Sequence, residues 1–521
     1  MTLLGVDIGT THCKAALFEE DGQLLQLASQ PTRASQDPHG YFSYDPENLW
    51  ETVAATIREA TSTGCAAGGN NLIRAAGIAS MAESGLLVDR RSGSPRSPFI
   101  PWFDRRAVRE VELLEQHMGA LGQQEWFYRT GLRASFKTSL AKILWLQEQG
   151  AWPSGDPVWL SVADYIAYRL TGALHTDYSL AGRTYAFRID QKAWDQERLA
   201  GFGLQADNFP APLPSGTPVG RLKAGWLSTL GLPEGTPVAI SGHDHVCASF
   251  ALRALLGGQE DLVLDSMGTA EALTGLLPPR LAGQAPLGEP EYRSGLSFGC
   301  DVLPDRYYWL GGLSASGGSL EWLRSILGDP ALSYADLDAL LDETPARPGS
   351  ILYFPYLSGS GTPHTDSSAR GAFVGLRLAN NRADLLKAVL EGAAYEVELI
   401  RRAAEQSSAG QIQRIAAAGG STRNRRWLQI KADVSNCRVE VPDIAEATLL
   451  GAALVAGIGS GVYAGFQQTA NALVPSKVEF FEPDPDRHEI YQKIFEQGYL
   501  PLLDPLRKID RNITGLDSIN V

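Results

Sequence analysis

Two glycine turns in this chain have the residue types to hold phosphate. Asp7-Ile8-Gly9-Thr10-Thr11 follows an early apolar run, and Asp265-Ser266-Met267-Gly268-Thr269 follows another near the middle. A phosphate cradle needs glycine so that backbone N–H groups can approach oxygen anions, with hydroxyls or a cation to finish the shell. Gly9, Thr10, Thr11 and Lys14 supply all three, and Gly268 with Thr269 offers a second donor set. A third constellation is Ser241-Gly242-His243-Asp244-His245. Its acid can bind a metal, act as a general base, or cap the helix whose pattern continues from Val246 to Leu256. His243 and His245 alternate on a strand and share a face, but no third ligand stands nearby to complete a transition-metal set. No GxxxxGK followed by Ser or Thr occurs, which disfavours a P-loop fold. Gly457-x-Gly459-x-Gly461 follows a helical pattern and reads as a helix C-cap.

The elements that must position these turns are legible as alternating patterns. β-rich runs ending in an acid or glycine cover Leu3 to Gly9, Thr236 to Gly242, Leu262 to Asp265 and Ile412 to Gly420. Between them lie helical faces: Leu49, Trp50, Val53 and Ile57 form one. Leu385, Leu386, Val389, Leu390, Ala393, Val397 and Ile400 form another. Strands alternating with helices predict an α/β protein with mixed or parallel sheets. The echo between the turns at Gly9 and Gly268 predicts a duplicated fold. Its boundary is expected near residues 247–260, with Gly257-Gly258-Gln259-Glu260 as punctuation.

Composition narrows the class. The 521 residues are 44% hydrophobic and 20% charged, which fits a chain of several domains with sizeable cores. With 45 Lys+Arg against 59 Asp+Glu the net charge is −14, which repels polyphosphate backbones and anionic membranes. Nucleic acid and membrane are therefore not expected partners. The five cysteines are scattered without metal-ligand spacing, so neither a disulfide framework nor a structural metal is expected. Asp7 interrupts the only early apolar run, and the expectation is a cytoplasmic protein.

Taken together, the motifs resemble the FGGY carbohydrate kinases from residue 3 to about 460. In the family's order come Asp7-x-Gly9-Thr10-Thr11; Thr138-Ser139-Leu140-Ala141-Lys142-Ile143-Leu144-Trp145-Leu146; Gly242-His243-Asp244; Met267-Gly268-Thr269; and Gly317-Gly318-Ser319-Leu320-Glu321-Trp322-Leu323. Pro355 to Gly359 follows. Arg370-Gly371-Ala372-Phe373-Val374-Gly375-Leu376, with Asp384 and Ala388 to Gly392, looks like the C-terminal signature. Ala418-Gly419-Gly420-Ser421 with Asn424, Trp427, Gln429 and Asp433 looks like the adenosine loop.

That resemblance implies two ribonuclease H-like α/β domains of the actin, hexokinase and sugar-kinase superfamily around a central cleft. Residues 1–250 would hold mainly sugar and 251–465 mainly ATP, with a helical tail over 466–521 packed on the second domain or at the subunit contact of a homodimer. Gly9, Thr10 and Thr11 would form the first phosphate loop and Gly268-Thr269 the second. Gly317 would lie beside the nucleotide, and Gly420 with Asn424 would flank adenine and ribose. Asp7 and Asp244 would hold Mg²⁺ largely through water, with Asp244 also the general base.

The acceptor is less defined. Met81-Ala82-Glu83-Ser84-Gly85 stands where xylulose kinases have Met-His-Gly and glycerol kinases Arg-Glu. Here the acid is kept and the cation lost. Glu83, Trp102, Asp104, Lys137, His243, Asp244 and His245 are the candidate acceptor contacts, since carboxylates and imidazoles suit vicinal hydroxyls. A neutral ketose or polyol of four to six carbons fits best. The lack of an Arg cluster argues against an acidic acceptor, while Lys137 leaves an aldonate open. The rivals are an actin- or chaperone-like ATPase acting on a protein partner, and a sugar sensor without catalysis.

Overall fold

The computed structural model describes residues 1–66, 73–117, 122–150, 152, 155–258, 261–279, 284–328 and 330–517. Two mixed sheets dominate. In the first, β1 (Thr2–Ile8), β2 (His12–Glu19), β3 (Leu24–Pro31), β4 (Ile73–Ser80), β5 (Pro218–Arg221) and β6 (Pro237–His243) lie in the order β5-β6-β4-β1-β2-β3. In the second, β7 (Leu262–Met267), β8 (Glu271–Leu276), β9 (Ser297–Cys300), β10 (Tyr307–Leu313), β11 (Arg414–Ala418), β12 (Arg438–Pro442) and β13 (Val478–Phe481) lie in the order β9-β10-β8-β7-β11-β12-β13.

The duplication expected from the glycine turns is visible strand by strand. β1 is antiparallel to β2 and parallel to β4, and β4 is parallel to β6. β7 is likewise antiparallel to β8 and parallel to β11, and β11 is parallel to β12. An antiparallel edge strand closes each sheet, β5 beside β6 and β13 beside β12. The hairpins β1–β2 and β7–β8 carry Gly9 and Gly268 at their tips. Parallel crossovers carry the helices: α1 (Pro46–Ala66) buries Leu49, Trp50, Val53 and Ile57, and α5 (Arg382–Gln406) buries Leu386, Val389, Leu390, Ala393, Val397 and Ile400. Leu385, expected on the same face, is only partly buried.

The chain's second half does not keep to itself. Helix α7 (Ala447–Gly459) lies on the first sheet at backbone contact. A Cβ on Gly5 would stand 2.1 Å from the Leu449 carbonyl oxygen, and one on Gly77 2.0 Å from that of Ala452. Gly5 and Gly77 are register partners on β1 and β4, so together they open one groove for the helix. The segment expected to belong to the second domain therefore also seals the first sheet.

The tail is not purely helical either. Its strand β13 extends the second sheet, and α8 (Pro485–Ile494) packs on α6 (Arg425–Ser435) through Arg487 to Asp433 at 2.6 Å. Tyr491 and Tyr499 donate to the buried Glu391 and Glu396 of α5 at 2.9 and 2.7 Å. Of the expected punctuation at 257–260, Gln259 and Glu260 lie outside the described residues.

Candidate active site

The C-terminal ends of β1 and β6 deliver two carboxylates to one buried spot. Asp7 is the penultimate residue of β1, and Asp244 is the first residue of α3 (Asp244–Leu255), which begins where β6 stops at His243. Gly242 makes that sharp strand-to-helix turn with φ +127, and a Cβ there would meet Ser179 Oγ at 2.4 Å. Asp244 sits in the first turn of α3, where the helix dipole favours an anion.

The two acids differ in charge state. Burial pushes Asp244 up, but the neighbouring His245 and His243 outweigh it and hold the carboxyl at about 2. Its Oδ1 lies 3.1 Å from His243 Nε2 and accepts from the His245 backbone N–H at 2.7 Å. Burial and the charge of Asp244 push Asp7 well above the ordinary carboxylate range. Asp7 Oδ1 is buried without a hydrogen-bond partner. A hard oxygen donor with nothing to bind, beside an ionised carboxylate, fits a divalent cation. The ligand atoms of His243, Asp244 and His245 also fall within 4.8 Å of one another. Burial lowers His245, against the pull of the Asp244 charge.

The second sheet contains the matching acid with the opposite fate. Asp265 on β7 and Glu271 on β8 are both buried, and Lys431 of α6 ion-pairs with each, at 2.5 Å to Asp265. There an ammonium meets the acid directly, whereas Asp7 has no ion pair among the described residues and feels the Lys14 charge only from a distance. Lys14 was expected to finish the phosphate shell. It lies instead on β2 opposite Asp7 in register, below the hairpin tip, and its ammonium pairs with Glu446 at 2.7 Å. That pair ties the first hairpin to the start of α7.

Around Gly268 the backbone groups converge. The N–H groups of Gly317 and Gly318, at the start of α4 (Gly317–Ile326), donate to the carbonyls of Gly268 and Thr269 at 3.1 and 2.9 Å. A Cβ on Gly317 would stand 2.5 Å from Gly268 O and 3.3 Å from Ser421 Oγ, so the Gly420 loop closes on the same point. A Cβ on Gly420 would meet nothing within 4 Å. Asn424 caps α6 by accepting from Trp427 N–H at 2.9 Å, leaving only its amide N–H₂ for a ligand. At the first tip, Thr11 is exposed, while the Thr10 hydroxyl accepts from Trp102 Nε1 at 3.0 Å. Thr10 thus joins the phosphate turn to the acceptor wall.

On the acceptor side the lost cation returns from elsewhere in the chain. Arg183 Nε donates to Glu83 Oε1 at 2.8 Å, and its Nη2 reaches the same oxygen. Burial would raise Glu83, but the Arg183 charge, with those of His243 and Lys142, holds it below the ordinary range. Arg183 Nη1 and His243 Nδ1 are buried without partners. Tyr308 of β10 brings its ring to 6.2 Å from that of His243, so the second sheet floors the acceptor site. Lys142 is fully buried and donates to the carbonyls of Glu83 and Lys137 at 2.5 and 2.6 Å. Glu83 sits at φ +56, and this clamp holds it there. Lys137 stands over the Trp102 ring at 5.3 Å from its centroid.

Asp104 is corrected by the structure. Its carboxylate is buried and accepts from Arg106 Nε and from the Phe42 N–H, both at 2.6 Å, so it braces the loop that carries Trp102 instead of facing the cleft. Arg183, Tyr308 and Glu446 escaped the sequence reading because nothing in their neighbours' spacing announces a site. Lys142 lay inside a quoted motif, and its place among apolar residues of a helix was the available signal.

Two matched domain profiles decide the family. Residues 2–251 match the N-terminal domain of the FGGY family of carbohydrate kinases, and residues 280–460 match its C-terminal domain. The chain belongs to the FGGY family of carbohydrate kinases. This FGGY kinase is 27% identical to the xylulose kinase of Bacillus subtilis over 95% of both chains. It is 30% identical to the glycerol kinase of Citrifermentans bemidjiense, covering 88% of this chain and 90% of that one. Among solved structures, the xylulose kinase of Rhodospirillum rubrum superposes with a TM-score of 0.84 at 26% identity, over 98% of this chain and all of the other. The mixed α/β two-domain fold is the one these sugar kinases share. No helix among the described residues is long and apolar enough to cross a membrane.

Proposed function

We propose that this FGGY kinase transfers the γ-phosphate of ATP to a hydroxyl of a small polyhydroxylated acceptor, a ketose or polyol of four to six carbons, with Asp244 as general base. The observation that carries the reading is the half-buried pair itself: an ionised Asp244 beside an Asp7 whose Oδ1 is buried without a partner. Asp7 and Asp244 are the residues that would hold Mg²⁺, whose charge when bound offsets that of the phosphate oxygens. The amides of the Gly9–Thr11 and Gly268–Thr269 turns cradle the phosphates, and Gly317, Gly420 and Asn424 border the nucleoside.

Asp244 orients the acceptor hydroxyl in line and receives its proton late. A carboxylate held near 2 is a weak base, which suffices because a loose phosphoryl transition state asks little of the nucleophile. Glu83 and Arg183 present a fixed acceptor–donor pair to vicinal hydroxyls, His243 Nδ1 adds a further contact, and Trp102 faces the C–H edges. His245 borders the same seat.

ADP release measured by a coupled assay over ketoses, polyols and aldonates tests this. Acceptor-dependent ADP is the expected result. ADP release indifferent to acceptor points to an ATPase acting on a protein partner, and binding without ADP to a sensor; either would sink the proposal.

A further inference from the structure

A cavity of about 950 Å³ opens outboard of Trp102, between the two domains, far larger than a four-carbon polyol needs. The first domain contributes Trp102, Arg105 and Lys137 to its wall, and the second contributes Ser314, Ser358 and Arg370. Among the described residues lining it there is no carboxylate, in a chain whose acids outnumber its bases by 59 to 45. The sequence offered no arginine cluster because these cations are separated by tens to hundreds of positions; the cleft brings them together.

Lys137 is the pivotal group. Its ammonium makes no hydrogen bond or ion pair with any described residue, and its recorded contact is the Trp102 ring. The acid whose charge reaches it, Glu83, is bound to Arg183. Lys142 fixes the Lys137 backbone, and the ammonium lies over the Trp102 ring on the cavity wall. Arg105 is exposed to the cavity and touches the Phe136 ring, at 5.7 Å from its centroid. A partly buried ammonium with an aromatic neighbour and no anion is incomplete as a structural element. It is complete as half of a charge-assisted contact.

We propose that this cavity is a distal subsite for an anionic group on the acceptor, a carboxylate or a phosphate ester, held by Lys137 and Arg105. The inference rests on the kinase reading above and extends it: the reacting hydroxyl lies at Asp244, the middle of the acceptor passes Glu83 and Arg183, and its charged end emerges past Trp102. The acceptor class narrows to polyhydroxy compounds that carry an acidic group at the end remote from the reacting hydroxyl.

Matched acceptors test this on the full-length enzyme. At each chain length from four to six carbons, the neutral polyol, its terminal carboxylate and its terminal phosphate ester are compared by coupled ADP release. One anionic arm is expected to exceed its neutral partner in kcat/KM by roughly tenfold or more, carried mainly by KM, and which arm does so names the anion. Arg105→Gln, at an exposed position, should cut the anionic-to-neutral ratio by about tenfold, and Lys137→Met should cut it further. Turnover of neutral acceptors with none of the anionic ones, or a ratio unmoved by both variants, overturns the subsite and leaves the kinase reading standing. Absence of ADP release with every acceptor in every arm overturns both.

Discussion

Arg183 Nε meets Glu83 Oε1 at 2.8 Å across a hundred residues of sequence, and both side chains are about nine-tenths buried. Neither residue could occupy that place alone. A buried carboxylate needs the guanidinium, and a buried guanidinium with Nη1 unpartnered needs something beyond the carboxylate.

Removing Arg183 should therefore damage stability and acceptor recognition together. Arg183→Met is expected to destabilise by about 3–5 kcal/mol in urea unfolding, because it strands the Glu83 charge. The double variant with Glu83→Gln should recover much of that stability and none of the acceptor affinity. A single variant as stable as the parent would dissociate the pair from the fold.

For the chemistry, Asp244→Ala should lower kcat by roughly 10²–10⁴. ATP affinity, read by calorimetry, should change little. Near-normal turnover would remove Asp244 from the role of base.

Gly317 and Gly420 should part company. Gly317→Ala sets a methyl 2.5 Å from the Gly268 carbonyl, a backbone atom with nowhere to go, so loss of thermal stability and of ATP binding is expected. Gly420→Ala places its methyl in open space and should melt like the parent. If its ATP affinity is also unchanged, the Gly420 loop does not border the nucleoside.

Burial lowers Lys142 to about 7, well under the 10.4 of a free lysine, and as a neutral amine it still has two N–H groups for the two carbonyls it serves. The folded state then binds fewer protons than the unfolded between about pH 7 and 10, and over that window the group's contribution to stability rises with pH. Below pH 7 its cost is fully present. Unfolding free energies of the parent relative to Lys142→Met should climb from pH 7 to 10; a flat difference would mean the amine stays charged when buried.

Closure is the remaining expectation. Water competes with the acceptor for phosphate, so the cleft between the two domains is expected to close over a bound acceptor. X-ray scattering should give a smaller radius of gyration with acceptor present, and equal radii would count against a closing cleft.

Sequence alone determined the local half of this protein. Glycine turns after strands, a hairpin acid, helical faces and the order of motifs depend on neighbours a few positions apart, and they appear where periodicity and turn chemistry put them. The strand at Val478–Phe481 and the seating of α7 on the first sheet were hidden, because pairing partners and backbone grooves are properties of two distant segments. The same division runs through the site. Asp7 and Asp244 were readable beside their glycines and Glu83 through the family resemblance, whereas Arg183, Tyr308, Glu446 and the arginines beside Lys137 arrive from separate elements. Which acids are neutralised from within, as Asp265 is by Lys431, and which are left open, as Asp7 is, was decided by packing, since burial and the approach of a distant charge set the state of a carboxylate.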